Sequence, residues 1–190
     1  MKTKMKIIGF TGMPGSGKTE AVRVAKELGS KVKVKGFSMG DIVKDEARKR
    51  GVEINDENVG RFATGERENF GKGIWAERTA ERIKNISDGI IVVIDGIRNN
   101  EEIEKFREIF DKDFITIAIH TRTKERFERM MEREREDDIK SKEEFDKRDE
   151  RELGWGIGTT IARADITVVN EGTLESFKQK IREILLQITS

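Results

Sequence analysis

The chain has 190 residues, enough for one domain or for one domain with a small insertion. Its 38 Lys and Arg against 37 Asp and Glu leave a formal charge of +1, which removes the whole-protein case for nucleic-acid binding and leaves only a local basic patch. Zero Cys excludes disulfides, Cys-ligated zinc and a thiol nucleophile, and the 39% of charged residues are mixed in sign among clustered apolar runs, as in a folded rather than a disordered chain.

Residues 6–10 read as a buried strand running into a Gly-rich turn, and 19–28 has a helical pattern that stops at Gly29. A short strand is expected at 32–34. A helix follows at 41–50, closed by Gly51, with Asp41 as its candidate N-cap. Helices are expected over 56–70 and 74–86, separated by Gly71-Lys72-Gly73. The run Ile90-Ile91-Val92-Val93-Ile94 is β-branched, uncharged and bounded by Gly89 and Asp95, which suits the centre of a parallel sheet. It is also far shorter than the roughly 20 residues needed to cross a bilayer. The apolar stretch after the basic start breaks at Gly9, so neither a membrane span nor a secretory leader is expected, and the protein reads as cytoplasmic. A helix at 100–110, a strand at 114–119, a highly charged helical pair at 123 to about 137 and 143–153, a strand at 166–169 and a helix at 174–188 complete the chain. Strand and helix in alternation predict an α/β fold around a parallel sheet.

Gly12-Met13-Pro14-Gly15-Ser16-Gly17-Lys18-Thr19 fits G-x-x-x-x-G-K-[ST] without departure, with an apolar strand before it and a helix after it. Polyphosphate concentrates negative charge, and a loop of small residues can turn several backbone N–H groups around it. The spacing lets Lys18 reach the outer phosphates and offers the Thr19 hydroxyl to Mg²⁺. ATP and Mg²⁺ are therefore the expected cofactors. Asp95, ending the most apolar strand, is the natural carboxylate for the metal. In Asp95-Gly96-Ile97-Arg98, Gly96 allows a close backbone turn and Arg98 supplies a planar fork for phosphate.

Together with the segment Phe37-Ser38-Met39-Gly40-Asp41-Ile42-Val43-Lys44, these motifs resemble the nucleoside monophosphate kinases, adenylate kinase above all. Nearly the whole chain is similar to an archaeal adenylate kinase-related P-loop family. The resemblance implies a three-layer P-loop fold with five parallel strands in the order 2-3-1-4-5, a helical acceptor-binding insert at 41–86 and a short lid at 122–153. It implies an AMP-like acceptor touched by Met39, Gly40, Asp41, Lys44, Arg67, Gly96 and Arg98. In adenylate kinases a Thr and an Arg stand where this chain has Met39 and Lys44, so one hydroxyl contact is absent and a bidentate fork becomes a point charge.

Arg122, Arg126, Arg129 and Arg133 share a stripe at helical spacing, with Phe127, Met130 and Met131 expected inward. Periodicity alone reads such a run as a solvated face laced with Glu–Arg pairs. By the resemblance, Arg129 stacks on adenine and Arg133 contacts phosphate, while Arg135 and Arg148 close over the transferring group. Arginines suit that place because the phosphoryl group in transit spreads negative charge over its equatorial oxygens.

Asp41 also resembles the Asp of dephospho-coenzyme A kinase that faces a ribose hydroxyl, and a hydroxyl acceptor benefits from a general base where a phosphate does not. Asn170, after the last strand, matches a loop set against adenine in related kinases. His120, Trp75 and Trp155 are expected to be structural, and Gly154, Gly156 and Gly158 mark a tightly turned or mobile segment. The leading reading is an ATP- and Mg²⁺-dependent phosphotransferase acting on a nucleoside monophosphate. A kinase that phosphorylates a hydroxyl is the first alternative. The second is a nucleotide-sensing ATPase or switch with a protein or RNA partner.

Overall fold

The computed structural model describes residues 5–28, 33–84, 86, 89–133 and 139–189. The strand β3 (Ile90–Ile97) is the longest of the five among the described residues. It is flanked by β1 (Lys6–Thr11) on one side and β2 (Lys33–Ser38) on the other. Beyond β1 lie β4 (Phe114–His120) and β5 (Ile166–Val169), so the order is β2-β3-β1-β4-β5 with every pair parallel. Parallel strands need crossovers, and the helices that provide them cover both faces, which is why β1 and β3 carry almost unbroken apolar sequence.

One face packs Ile7, Val92, Ile94 and Ile97 against α2 (Met39–Lys49), α3 (Asp56–Phe70), α4 (Ile74–Ile83) and α5 (Asn100–Phe110), with Trp75 and Phe106 fully buried. The other packs Ile8, Phe10, Val93 and Ile119 against α1 (Lys18–Glu27) and α9 (Leu174–Thr189). Each such side chain fully buried contributes about 1.5–3 kcal/mol. A third, smaller cluster joins α6 (Thr123–Glu132) to α7 (Lys142–Gly154) through Met130, Ile139 and Phe145, with Phe127 edge-on to Phe145 at 5.3 Å.

The element order follows the expectation, with four differences. β2 extends to Ser38 because exposed Lys33 and Lys35 interrupt an edge strand without stopping its pairing to β3. The Ser38 hydroxyl, not Asp41, caps α2, accepting from the Asp41 N–H at 3.1 Å; Asp41 sits in the first turn. A short helix, α8 (Ile157–Ala162), follows Gly156, whose φ of 101° lets the chain turn sharply out of α7. Finally, the arginine stripe divides: Arg126 is buried and Met131 is exposed, because Arg126 finds partners inside the molecule.

Candidate active site at the carboxyl end of the sheet

β1 ends in the Gly-rich loop, and Gly12, Gly15 and Gly17 all adopt positive φ. The loop is tightly buttressed from behind. A Cβ on Gly12 would lie 2.5 Å from the Ile119 carbonyl oxygen, and one on Gly15 would lie 2.8 Å from that of Arg126. Asn170 is buried and donates its side-chain amide to the Ser16 carbonyl at 2.8 Å, where the Thr121 hydroxyl also donates at 3.0 Å. Asn170 therefore supports the loop, and it is not among the residues that wall the phosphate cleft. Met13 and Ser16 likewise serve the loop's shape: the Met13 carbonyl accepts from the Ser16 N–H at 3.1 Å.

Lys18 opens α1 and folds its ammonium onto the loop, donating to the carbonyls of Gly12 at 2.7 Å and Met13 at 3.1 Å. Burial lowers its pKa from 10.5 to about 8, with Asp95 and Glu152 pulling it up and Arg98 and Arg133 pushing it down. Thr19 follows on the exposed side.

Across from the loop, β3 carries a bulge against β1: Phe10 pairs with Asp95 but Thr11 pairs with Ile97, leaving Gly96 as the extra residue at a φ of 98°. The Thr11 hydroxyl pins the bulge by donating to the Ile97 carbonyl at 2.9 Å. The bulge aims Asp95 and Arg98 at the same cleft as the loop. Asp95 Oδ1 is buried and meets no hydrogen-bond donor among the described residues. Arg98 donates its backbone N–H to Glu102 and one guanidinium nitrogen to the Gly96 carbonyl, both at 2.7 Å, and its Nε lies 2.7 Å from Glu152. Burial opposes the Arg98 charge, but Glu152 and Glu102 more than restore it, so the guanidinium holds its proton more firmly than a free arginine.

Two adjoining cavities open here. The first is a cleft of about 330 Å³ walled by Lys18, Thr19, Asp41, Asp95, Arg129 and Arg133. Arg129 reaches the Asn170 carbonyl at 3.3 Å and Glu125 at 3.5 Å. The second is an apolar pocket between α2, α3 and α7, lined by Met39, Val43, Val59, Ala63, Trp75 and Trp155 together with arginines 67, 98, 148 and 151. Gly40, Lys44, Gly96, Arg98 and Arg148 belong to both walls.

Sequence reasoning thus named most of the cleft. Arg135 lies outside the described residues. Arg67 lines the second pocket, but Glu102 engages it at 3.0 Å and Trp155 faces its guanidinium at 4.4 Å. His120 is exposed and stands outside the cleft, 4.0 Å from Glu171. Trp155, expected only to pack, lines the pocket while its indole N–H donates to Thr64 at 3.1 Å. Glu152, Asp56 and Arg151 were missed altogether. They belong to charge-rich helices in which many carboxylates and arginines share the same spacing, so no local signal distinguishes them.

The chain belongs to the AAA domain family, whose model matches residues 8–152. It also belongs with the UPF0200 proteins. One from Thermoplasma volcanium is 45% identical over 179 residues, spanning 94% of this chain and 96% of its own. A UPF0200/UPF0201 protein from Archaeoglobus fulgidus is 44% identical over 99% of this chain, and this chain spans 57% of that longer relative. Among solved structures, a gluconokinase from Sinorhizobium meliloti superposes with a TM-score of 0.62 at 16% identity, covering 100% of this chain and 95% of its own. A shikimate kinase from Acinetobacter baumannii in complex with shikimate gives 0.56 at 17% identity, covering 96% and 94%. These likenesses establish a P-loop kinase fold.

Proposed function

We propose that this AAA-family chain is an ATP- and Mg²⁺-dependent phosphotransferase acting on a small molecule. The observation that carries the reading is the shared wall: a phosphate cleft and an apolar pocket meet at Gly40, Lys44, Gly96, Arg98 and Arg148. A nucleotide hydrolase needs only the first cavity. Two cavities meeting at a cluster of cations suit a donor and an acceptor brought into line with water excluded.

In this reading the loop amides and Lys18 hold the outer phosphates of ATP. Thr19 and Asp95 fit a divalent cation, because both line the phosphate cleft and the buried Asp95 Oδ1 has no hydrogen-bond partner among the described residues. When bound, the metal would supply charge neutralisation at the donor's phosphates. Arg98, Arg129, Arg133 and Arg148, with Arg135 beyond the described residues, would stabilise the charge of the group in transit.

For the acceptor, the resemblance to adenylate kinases and the cations Lys44, Arg67 and Arg98 around the pocket support a nucleoside monophosphate. The hydroxyl alternative draws support from Asp41, which lines the phosphate cleft where a proton-accepting carboxylate would be needed, and from the gluconokinase and shikimate kinase likeness. Consumption of ATP would place the protein in the cytoplasm, and no described helix is long and apolar enough to cross a membrane.

The test is incubation with ATP, Mg²⁺ and a panel of nucleotides and hydroxyl compounds, following ADP and phosphorylated product together. Product formed mole for mole with ADP is expected. ATP bound and hydrolysed with no product on any acceptor, and turnover stimulated instead by a protein or RNA, would overturn the proposal. Asp41→Asn separates the acceptor classes: a severe loss of kcat marks a hydroxyl, a mild one a phosphate.

A further inference from the structure

The second pocket carries more charge than its apolar lining needs, and that charge is already balanced from within. Each of its four arginines faces a carboxylate: Arg67 with Glu102 at 3.0 Å, Arg98 with Glu152 at 2.7 Å, and Arg148 and Arg151 with Asp56 at 3.2 and 2.7 Å. Glu152, on α7, lines the second pocket and engages Arg98, a residue of the shared wall, at 2.7 Å. It is 2% exposed, and its Oε2 lies 2.7 Å from the Arg98 Nε. Burial works against its charge, yet Arg98, Arg148 and Lys18 hold its carboxyl below the ordinary range, so the anion persists at neutral pH.

Resting on the phosphotransfer reading and choosing between its two acceptor classes, we infer that Glu152 is a specificity-determining residue. Its carboxylate occupies the side of Arg98 that an acceptor phosphate would need, and it accepts a hydrogen bond from the hydroxyl of a polyhydroxylated acceptor.

The chemistry favours this assignment in three ways. A buried carboxylate held against Arg98 in this pocket repels a phosphate dianion at short range and discriminates against it more than it costs a neutral group. Hydroxyl groups both donate and accept, and this pocket offers both functions. Glu152 Oε2 has accepting capacity left, and Arg67 Nε and Nη1 are buried donors with no hydrogen-bond partner among the described residues. The apolar faces of Val43, Val59 and Trp155 complete a surface for a carbon skeleton. In the transfer, the acceptor oxygen forms a bond to the γ-phosphorus as the bond from that phosphorus to the β,γ-bridging oxygen breaks. ADP leaves, and the hydroxyl proton passes to Asp41 in the phosphate cleft and on to solvent. Glu152 orients the hydroxyl. It does not keep the proton, because its cationic neighbours favour the ionised form.

The experiment compares the wild-type chain with Glu152→Gln and Glu152→Asp, each checked for folding by thermal unfolding and for ATP binding. In one arm, gluconate, shikimate, adenosine and AMP are supplied with ATP and Mg²⁺, and phosphorus NMR identifies the product as a carbon-linked ester or a phosphoanhydride. An ester is expected, with Glu152→Gln raising the acceptor KM at least about tenfold and by more than it changes the KM for ATP, and with Glu152→Asp partly restoring it. In the second arm, binding of inorganic phosphate and of AMP to the ADP-loaded protein should tighten about tenfold or more in Glu152→Gln. A phosphoanhydride product from AMP, or phosphate binding indifferent to the substitution, would overturn the inference and leave the phosphotransfer reading standing. Absence of transfer to every probe would count against the phosphotransfer reading, while the binding arm still decides the role of Glu152.

Discussion

The Arg126 guanidinium on α6 grips the Asp149 carboxylate on α7 with both terminal nitrogens while donating to the Pro14 carbonyl of the phosphate loop at 3.0 Å. Three segments far apart in sequence thus meet on one buried cation, stacked over Phe145 at 5.1 Å. The contact makes the position of α7, and with it Arg148 and Glu152, depend on the shape of the loop.

Removing one partner leaves the other charge buried and unanswered. Arg126→Ala should therefore cost about 3–5 kcal/mol of stability, read as a lowered denaturation midpoint, and should weaken ATP binding as well. Pairing it with Asp149→Leu should recover part of the stability but not the nucleotide affinity.

Lys18 makes nucleotide binding depend on pH in a definite direction. Its pKa of about 8 in the free protein rises once anionic phosphates surround it, so binding above pH 8 must take up a proton. Affinity for Mg-ATP should change little from pH 7 to 8 and then fall by up to about tenfold per unit, as measured by calorimetric titration. Lys18→Met should bind far more weakly at every pH and lose that dependence.

Asp95 is the carboxylate proposed to hold the metal, and its Oδ1 is left unpaired by the described residues. Because its Oδ1 has no hydrogen-bond partner among the described residues, Asp95→Asn should unfold at nearly the wild-type temperature. The Mg²⁺ concentration for half-maximal ATP binding should nevertheless rise about tenfold or more, as expected when a hard carboxylate is lost to a divalent cation.

Two glycines should respond oppositely to alanine. At Gly17 the φ of 108° and a Cβ pressed into the Asn170 side-chain amide predict a loss of about 2 kcal/mol or more, with ATP affinity reduced. At Gly65, inside α3, nothing lies within 4 Å of the added Cβ, and helix propensity predicts a gain of about 1 kcal/mol. Chemical denaturation of both variants provides the comparison.

The difference between what could be read early and what could not has a physical cause. A phosphate loop must place consecutive amides around one anion, so Gly12 through Thr19 announce themselves in a single stretch. The strands β1 and β3 are buried on both faces and must be continuously apolar, and the bulge at Gly96 needs the residue that tolerates its backbone angle. Ser38 capping α2 in place of Asp41 is a three-residue shift that propensity cannot resolve, since both residue types cap helices.

Local sequence determined the phosphate loop, the carboxylate at the end of β3 and the order of the elements, because each depends on neighbours a few residues away. Tertiary structure alone decided which arginines are spent on structure and which line the cleft. Arg126 and Arg129 sit in similar sequence surroundings, and only the approach of Asp149 and Pro14 to the one and of Asn170 to the other, from distant segments, gives each its own partner. The same holds for Glu152. One carboxylate among many on a charged helix, it acquires its significance from burial against Arg98, where low dielectric magnifies a charge that water would screen on the surface.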